Sequence, residues 1–212
     1  MKTVYFVRHG ESEANVAPVF QGPNSPLSPT GIEQAHAVAE RVSKFEFDVL
    51  LSSPFARARA TAEIIAEKTG KTPEYSDVFV ERLKPTSIDE KPYTDEVANT
   101  IWRSWEASLH TPGLRVEDGE NYEDVVARAD RALALLAARA EDTALVVTHG
   151  YFLRSIIARV LLRDTLTAAS FLNIQRSANM QNTGITVLRV EQGFESAPAW
   201  KLWIYNDHAH LG

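Results

Sequence analysis

Short, mainly apolar runs alternate with longer segments of helical period along this chain, and that alternation restricts the fold more than any other feature. Val4 to Val7 is a β-branched and aromatic run of the kind that suits a strand buried on both faces. Asp48 to Leu51 and Ala144 to Thr148 read the same way. Between and after them come helical patterns. Ser28 and Pro29 form an N-cap followed by Pro at the first helical position, and Ile32, Ala35, Ala39 and Val42 then recur at helical spacing. Ala56 to Lys68 is rich in helix formers and stops at Gly70. Tyr122 to Ala140 and Phe152 to Leu162 complete the set, and Gly184 to Val190 and Trp200 to Tyr205 read as two closing strands. Strands alternating with helices predict an α/β fold with a mostly parallel sheet and helices on both faces, in three α/β/α layers.

The whole chain, 1–212, reads as one domain with no repeat and no linker. Lys84 to Asp118 stands apart. It carries Pro85, Pro92, Pro112 and Gly113 and a Trp102/Trp105 pair on one face of a short helix, which predicts a lid-like insertion over the core. Core packing of that insertion explains the two tryptophans as well as substrate contact does.

Composition narrows the function. The chain holds 22 Lys+Arg against 28 Asp+Glu, a formal net charge of −6. A mildly acidic chain has no general footprint for nucleic acid or an anionic membrane, so any anion it binds needs a local basic pocket. Cysteine is absent, which excludes disulfides, thiolate metal sites and cysteine nucleophiles. No apolar run approaches the roughly 20 residues of a membrane span. The N-terminus has no cleavage-site pattern and reads as a first strand, so a cytoplasmic location is the default expectation.

The three apolar runs end in polar, chemically capable residues: Arg8-His9-Gly10, Ser52-Ser53-Pro54 with Arg57 and Arg59 just beyond, and Thr148-His149-Gly150. In parallel α/β sheets the ligand lies beyond the carboxyl ends of the strands, so these residues are expected to converge. Arg offers a planar fork of donors that matches phosphate oxygens. Neutral His is a competent phosphoryl acceptor, and a helix starting after His149-Gly150 is expected to aim backbone N–H groups at an anion. Arg57 and Arg59 are two apart on a helix and cannot face the same way, so one points at the site and the other is expected in a surface ion pair.

At these residues the chain resembles the histidine phosphatase superfamily, the phosphoglycerate-mutase-like proteins. RHGESEAN from Arg8, FQGPNSPLSPTGIEQA from Phe20, LLSSPFARARATA from Leu50, GENYEDVVAR from Gly119, VVTHGYFLR from Val146, NTGITVL from Asn182 and the terminal NDxxHL segment ending at Leu211 carry the resemblance almost end to end. It implies His9 as the nucleophile, with Arg8, Arg57 and His149 around the phosphoryl oxygens. It further implies Asn15, the Gln21-Gly22 loop and Gly150 at the pocket, and Glu81 as the proton donor. An ion pair between Glu81 and Arg82 or another Arg is the competing reading. Neither a metal nor an organic cofactor is expected.

The chain also departs from that pattern. Ala14 stands where relatives often carry Trp, which removes one aromatic wall. After Glu81-Arg82 comes LKPTSIDE in place of the ERHYG-type stretch of the mutases. The expectation is a phosphatase acting on a phosphorylated small molecule. A phosphomutase and a non-catalytic phosphate-recognition module are the alternatives. Arg82 and Lys84 are candidates for further substrate charge, against an exposed solvated face. His208 and His210 could hold a metal only with further ligands, and His210 is expected to be structural. The last strand, Trp200 to Tyr205, reads as a covered edge or as a homodimer contact.

Overall fold

A computed structural model describes residues 1–191 and 199–212. Six strands form one sheet in the order β3-β2-β4-β1-β5-β6, where β1 is Lys2–Arg8, β2 Val49–Ser52, β3 Pro73–Tyr75, β4 Thr143–Thr148, β5 Ile185–Glu191 and β6 Ala199–Asp207. The pairs β3–β2, β2–β4 and β4–β1 are parallel, while β5 runs antiparallel to β1 and to β6. The mostly parallel α/β architecture expected from the sequence is therefore observed.

The apolar runs lack polar alternation because both faces of the central strands are covered. Val7, Leu50, Leu145 and Val147 pack with Val38, Ala39, Val42, Ala58, Ala62 and Ile65 of α2 (Pro29–Val42) and α3 (Ala56–Thr69). Their neighbours Val4, Phe6, Leu51 and Val146 turn the other way, onto Val125, Ala129 and Leu133 of α5 (Tyr122–Ala138) and Phe152, Leu153 and Ile156 of α6 (Gly150–Leu162). The caps follow the sequence: the Ser28 hydroxyl accepts from Gly31 N–H at 3.0 Å, and Gly70 ends α3 at φ 69°. Ile32 departs from expectation. It is exposed, and Val38 takes its place on the buried face of α2.

Three further elements carried little sequence signal. The four-residue α1 (Glu13–Val16) buries no residue. The edge strand β3 is three residues long and opens on a Pro. In α7 (Ala168–Ser177) only Phe171 is buried, so its periodicity is faint, although Thr167 and Ser170 form a capping box. At the other edge, β6 buries Trp200 and exposes Trp203. No helix among the described residues is long and apolar enough to cross a membrane.

The segment from 84 to 118, which contains α4 (Glu96–Ala107), is tied to the loop after α1 by backbone hydrogen bonds. Phe20 N–H donates to Lys91 C=O, Glu90 N–H to Phe20 C=O and Tyr93 N–H to Pro18 C=O, each at 2.9 Å. Phe20, Ile88 and Ala98 form a small core of their own there. Loop and insertion together make one wall over the carboxyl end of the sheet.

Candidate active site

The strand ends meet because β2, β4 and β1 are adjacent and parallel. Arg8 lies level with Thr148, and His9 N–H continues the ladder to Thr148 C=O at 2.9 Å. Ser53 N–H does the same to Val147 C=O at 3.0 Å. The His9 and His149 rings are thereby brought to a centroid distance of 5.0 Å, both almost fully buried.

The hydrogen bonds of His9 define its two nitrogens. Nδ1 lies 2.6 Å from Gly10 C=O and, facing an acceptor, carries the proton. Nε2 accepts from Arg57 Nε–H at 3.2 Å, so its lone pair lies on the side of the guanidinium. Burial, reinforced by Arg57 and Arg8, holds the His9 pKa well below the ordinary imidazole range. His149 is shifted the same way, first by burial and then by Arg57 and His9. Its Nε2 lies 2.8 Å from Ser53 Oγ, which also accepts from Phe55 N–H. That Nδ1 is buried with no partner among the described residues, as is Arg8 Nε. Arg8 donates from its Nη1 to Met180 C=O. Gly150 passes so close to Arg8 that a Cβ would stand 3.2 Å from Nε. Burial lowers the Arg57 pKa to about 10, which leaves it a cation at neutral pH. The site thus presents a half-buried guanidinium on Arg8 and a buried one on Arg57, two neutral imidazoles, and two buried nitrogens without a partner among the described residues, Arg8 Nε and His149 Nδ1, a set that matches a dianionic phosphoryl group in charge.

Glu81 stands over the same place. Its carboxylate accepts from the N–H groups of Tyr151 (3.2 Å) and Phe152 (2.8 Å) in the first turn of α6, and from Arg82 N–H at 3.0 Å. This corrects one expectation: two amides at the start of α6 face the Glu81 carboxylate and not a substrate anion. It also sets aside the competing ion pair with Arg82. The Arg82 guanidinium is buried and bound to Glu106, Glu120 C=O and Trp105 C=O, so it is no exposed solvated cation either. The Gly-Glu-led motif explains how Glu81 is held. Glu120 and Arg128 form a buried bidentate pair at 2.6 and 2.7 Å, and Arg128 donates to Val80 C=O and Glu81 C=O.

A cavity of about 420 Å³ opens beside these groups. Asn15, Gln21, Arg57 and Glu81 line it, together with Lys84, Asp89, Tyr93, Trp102 and Trp105 from the insertion. Gly22 contributes its carbonyl, which accepts from Arg57 Nη1 at 3.1 Å. Asn15 is held by Ser12 N–H, and Gln21 donates to the Ser12 hydroxyl. Arg59 points away and stacks on Tyr75 at 4.2 Å, in place of the surface ion pair expected of it. Lys84 pairs with Asp89, and burial, with Arg57 nearby, brings its pKa down to about 8.

Several supporting residues carry no sequence signal strong enough to single them out. Thr61 Oγ accepts from Gly10 N–H at 3.1 Å, and Asn182 Nδ2 donates to His9 C=O at 3.0 Å. Thr183 holds a left-handed backbone, φ 56°, with its N–H on Arg8 C=O at 3.0 Å and its hydroxyl 3.0 Å from His210 Nε2. Arg41, paired with Asp207, approaches the other ring nitrogen of His210 at 3.4 Å. Both histidines of the tail are committed to such contacts, His208 to Asn206 C=O at 2.8 Å. No cluster of three or more His, Cys, Asp or Glu side chains suited to a metal ion occurs among the described residues.

This geometry has relatives. The sequence profile of the histidine phosphatase superfamily (branch 1) matches residues 4–202. The chain belongs to the histidine phosphatase superfamily. It is 32% identical over 217 aligned positions to the probable phosphoglycerate mutase GpmB of Proteus mirabilis, covering 100% of this chain and 95% of that protein. The homologous protein of Yersinia pestis is 31% identical with the same coverage. Among solved structures, a mycobacterial glucosyl-3-phosphoglycerate phosphatase bound to VO3 superposes with TM-score 0.77 at 25% identity, over 98% of this chain and 100% of that one. An Entamoeba histolytica phosphoserine phosphatase variant, with TM-score 0.76, 24% identity and full coverage of both chains, shares the fold. Superfamily members of both kinds, phosphatase and mutase, therefore resemble this protein.

Proposed function

We propose that this protein is a phosphatase of small phosphomonoesters that works through a phosphohistidine on His9. The observation that carries the reading is the His9 ring itself, with Nδ1 tied to Gly10 C=O and the Nε2 lone pair turned toward the Arg57 guanidinium. In the first step Arg57 Nε–H turns from Nε2 to a phosphoryl oxygen, the freed Nε2 lone pair attacks phosphorus and the P–O bond to the leaving group breaks. Glu81, as the acid, gives its proton to the departing oxygen. Arg8, Arg57 and His149 hold the phosphoryl oxygens as charge shifts, the work that metal ions do in many other phosphoryl-transfer enzymes. In the second step the Glu81 carboxylate takes a proton from water as that water attacks phosphorus. The P–N bond breaks, the lone pair returns to Nε2 and phosphate leaves. Phosphate release assayed with a chelator present, wild type beside His9→Ala, tests the reading. Metal-independent release lost in the variant is expected; turnover retained by the variant contradicts it.

The mutase reading is favoured by the curated relatives, which are named as probable phosphoglycerate mutases. The same pocket residues serve both reactions. Interconversion of 2- and 3-phosphoglycerate at a rate exceeding phosphate release would decide for the mutase.

A further inference from the structure

A phosphoryl group occupies only a small part of a cavity of about 420 Å³, so most of that space receives the leaving group. Its wall is aromatic. The Phe20 ring lies 5.1 Å from Trp102, Trp102 lies 4.9 Å from Trp105, and Tyr93 meets Phe20 edge-on at 4.8 Å. Trp105 is buried and stacks on the Arg82 guanidinium at 3.6 Å. Trp102 is only partly buried and Tyr93 is 49% exposed, so ring surface on both stays available at the cavity. These rings replace the wall that Ala14, also on the cavity, does not provide.

Apart from Arg57, which faces the phosphoryl place, the cations of this compartment are already paired. Lys84 is paired with Asp89. Arg82 is closed off by Glu106, Glu120 C=O and Trp105 C=O, with its side chain 1% exposed. Glu81 and Asp89 add two carboxylates to the lining. A carboxylate on the leaving group would have to displace Asp89 from Lys84 and lie near Glu81. A flat apolar ring would leave the Lys84–Asp89 pair intact and would gain buried area and ring–ring contact.

We infer that this site takes phosphomonoesters whose leaving group ends in a flat aromatic ring and disfavours small carboxylate-bearing esters of the phosphoglycerate type. The inference rests on the phosphatase reading and names its substrate class.

The test compares kcat/KM for 2-phenylethyl phosphate, glycerol 3-phosphate and 3-phosphoglycerate. The first two are both primary alkyl esters, so the ring and not leaving-group acidity separates them. 2-Phenylethyl phosphate is expected to lead glycerol 3-phosphate by about tenfold or more, with 3-phosphoglycerate last. Trp102→Ala is expected to shrink that lead by about tenfold. Tyr93→Ala, at the exposed rim, should move it the same way and guards against a misfolded tryptophan variant. 3-Phosphoglycerate turned over as fast as the aromatic ester would overturn the inference, as would a lead untouched by both variants. Binding to His9→Ala, read by tryptophan fluorescence, separates the two levels of the argument. No phosphate release from any ester, with 2-phenylethyl phosphate still bound more tightly than 3-phosphoglycerate, overturns the phosphatase and upholds the aromatic site. Equal binding overturns the aromatic site.

Discussion

Arg57 donates its Nε–H to Nε2 of His9 across 3.2 Å, from the first turn of α3. The guanidinium thereby faces the nitrogen proposed to attack phosphorus, and its Nη1 is anchored on Gly22 C=O. One planar fork aligns the nucleophile and stands ready for phosphoryl oxygens. Lysine carries the charge without the fork. Arg57→Lys should therefore lower kcat/KM for phosphate release by about 10²–10³-fold. Activity within a few-fold of wild type would remove Arg57 from the phosphoryl site.

Glu81 is assigned both a proton donation and a proton abstraction. Glu81→Gln should lower kcat on alkyl phosphates by about 10²–10⁴-fold. A nitrophenyl ester needs no acid for its leaving group, so the first step survives and the second stalls. A stoichiometric burst of nitrophenol followed by slow turnover is expected in stopped-flow absorbance. An unchanged steady rate without a burst would count against the double role.

The Glu120–Arg128 pair is buried and holds the strip of chain that carries Glu81. Glu120→Gln leaves the Arg128 cation without its carboxylate, and breaking such a pair costs about 3–5 kcal/mol. Urea unfolding should show that loss, and kcat should fall with it because Glu81 loses its backbone support. A variant as stable as wild type would mean that the pair is dispensable.

Stability should also depend on acid. Burial depresses the pKa values of His9 and His149 in the folded protein. Both stay neutral there while the unfolded chain protonates its histidines near pH 6.5. Their contribution is complete above that pH and is lost as pH falls toward the folded values, at up to about 1.4 kcal/mol per pH unit for each. His210, lowered to about 4 by burial and Arg41, adds to the loss between roughly pH 6.5 and that value. The urea midpoint should drop steadily from about pH 7 to pH 5, less steeply in His149→Gln. A flat profile would contradict neutral buried imidazoles.

Much of this site is legible in the sequence for one reason. Arg8, His9 and His149 follow uninterrupted apolar runs, and such runs mark central strands whose ends adjoin. Arg57 and Arg59 both lie just beyond the second run, and only the resemblance chooses Arg57 between them. Glu81 is not legible: it lies in an irregular segment, and only the resemblance singles it out. Ser53, Thr61 and Asn182 touch the histidines or their loop through one hydroxyl or one amide each, chemistry that any surface residue also carries. The helical N–H groups expected to face an anion are the instructive error. Periodicity places the start of α6 at Phe152, two residues late, and it cannot reveal that a carboxylate distant in the chain caps the helix. The same holds for Trp102 and Trp105. Their spacing gives a shared face, while the partners of that face depend on the pairing of residues 18–20 with 90–93.

The account turns on a covalent bond from phosphorus to His9. Rapid quench of the Glu81→Gln variant with a nitrophenyl phosphate, followed by peptide mass spectrometry, measures it directly. One acid-labile, base-stable phosphoryl group on the peptide that contains His9, absent in a His9→Ala, Glu81→Gln double variant, is the predicted result. Product formed with no phosphoryl group on that peptide, or with the group on His149, would contradict the mechanism.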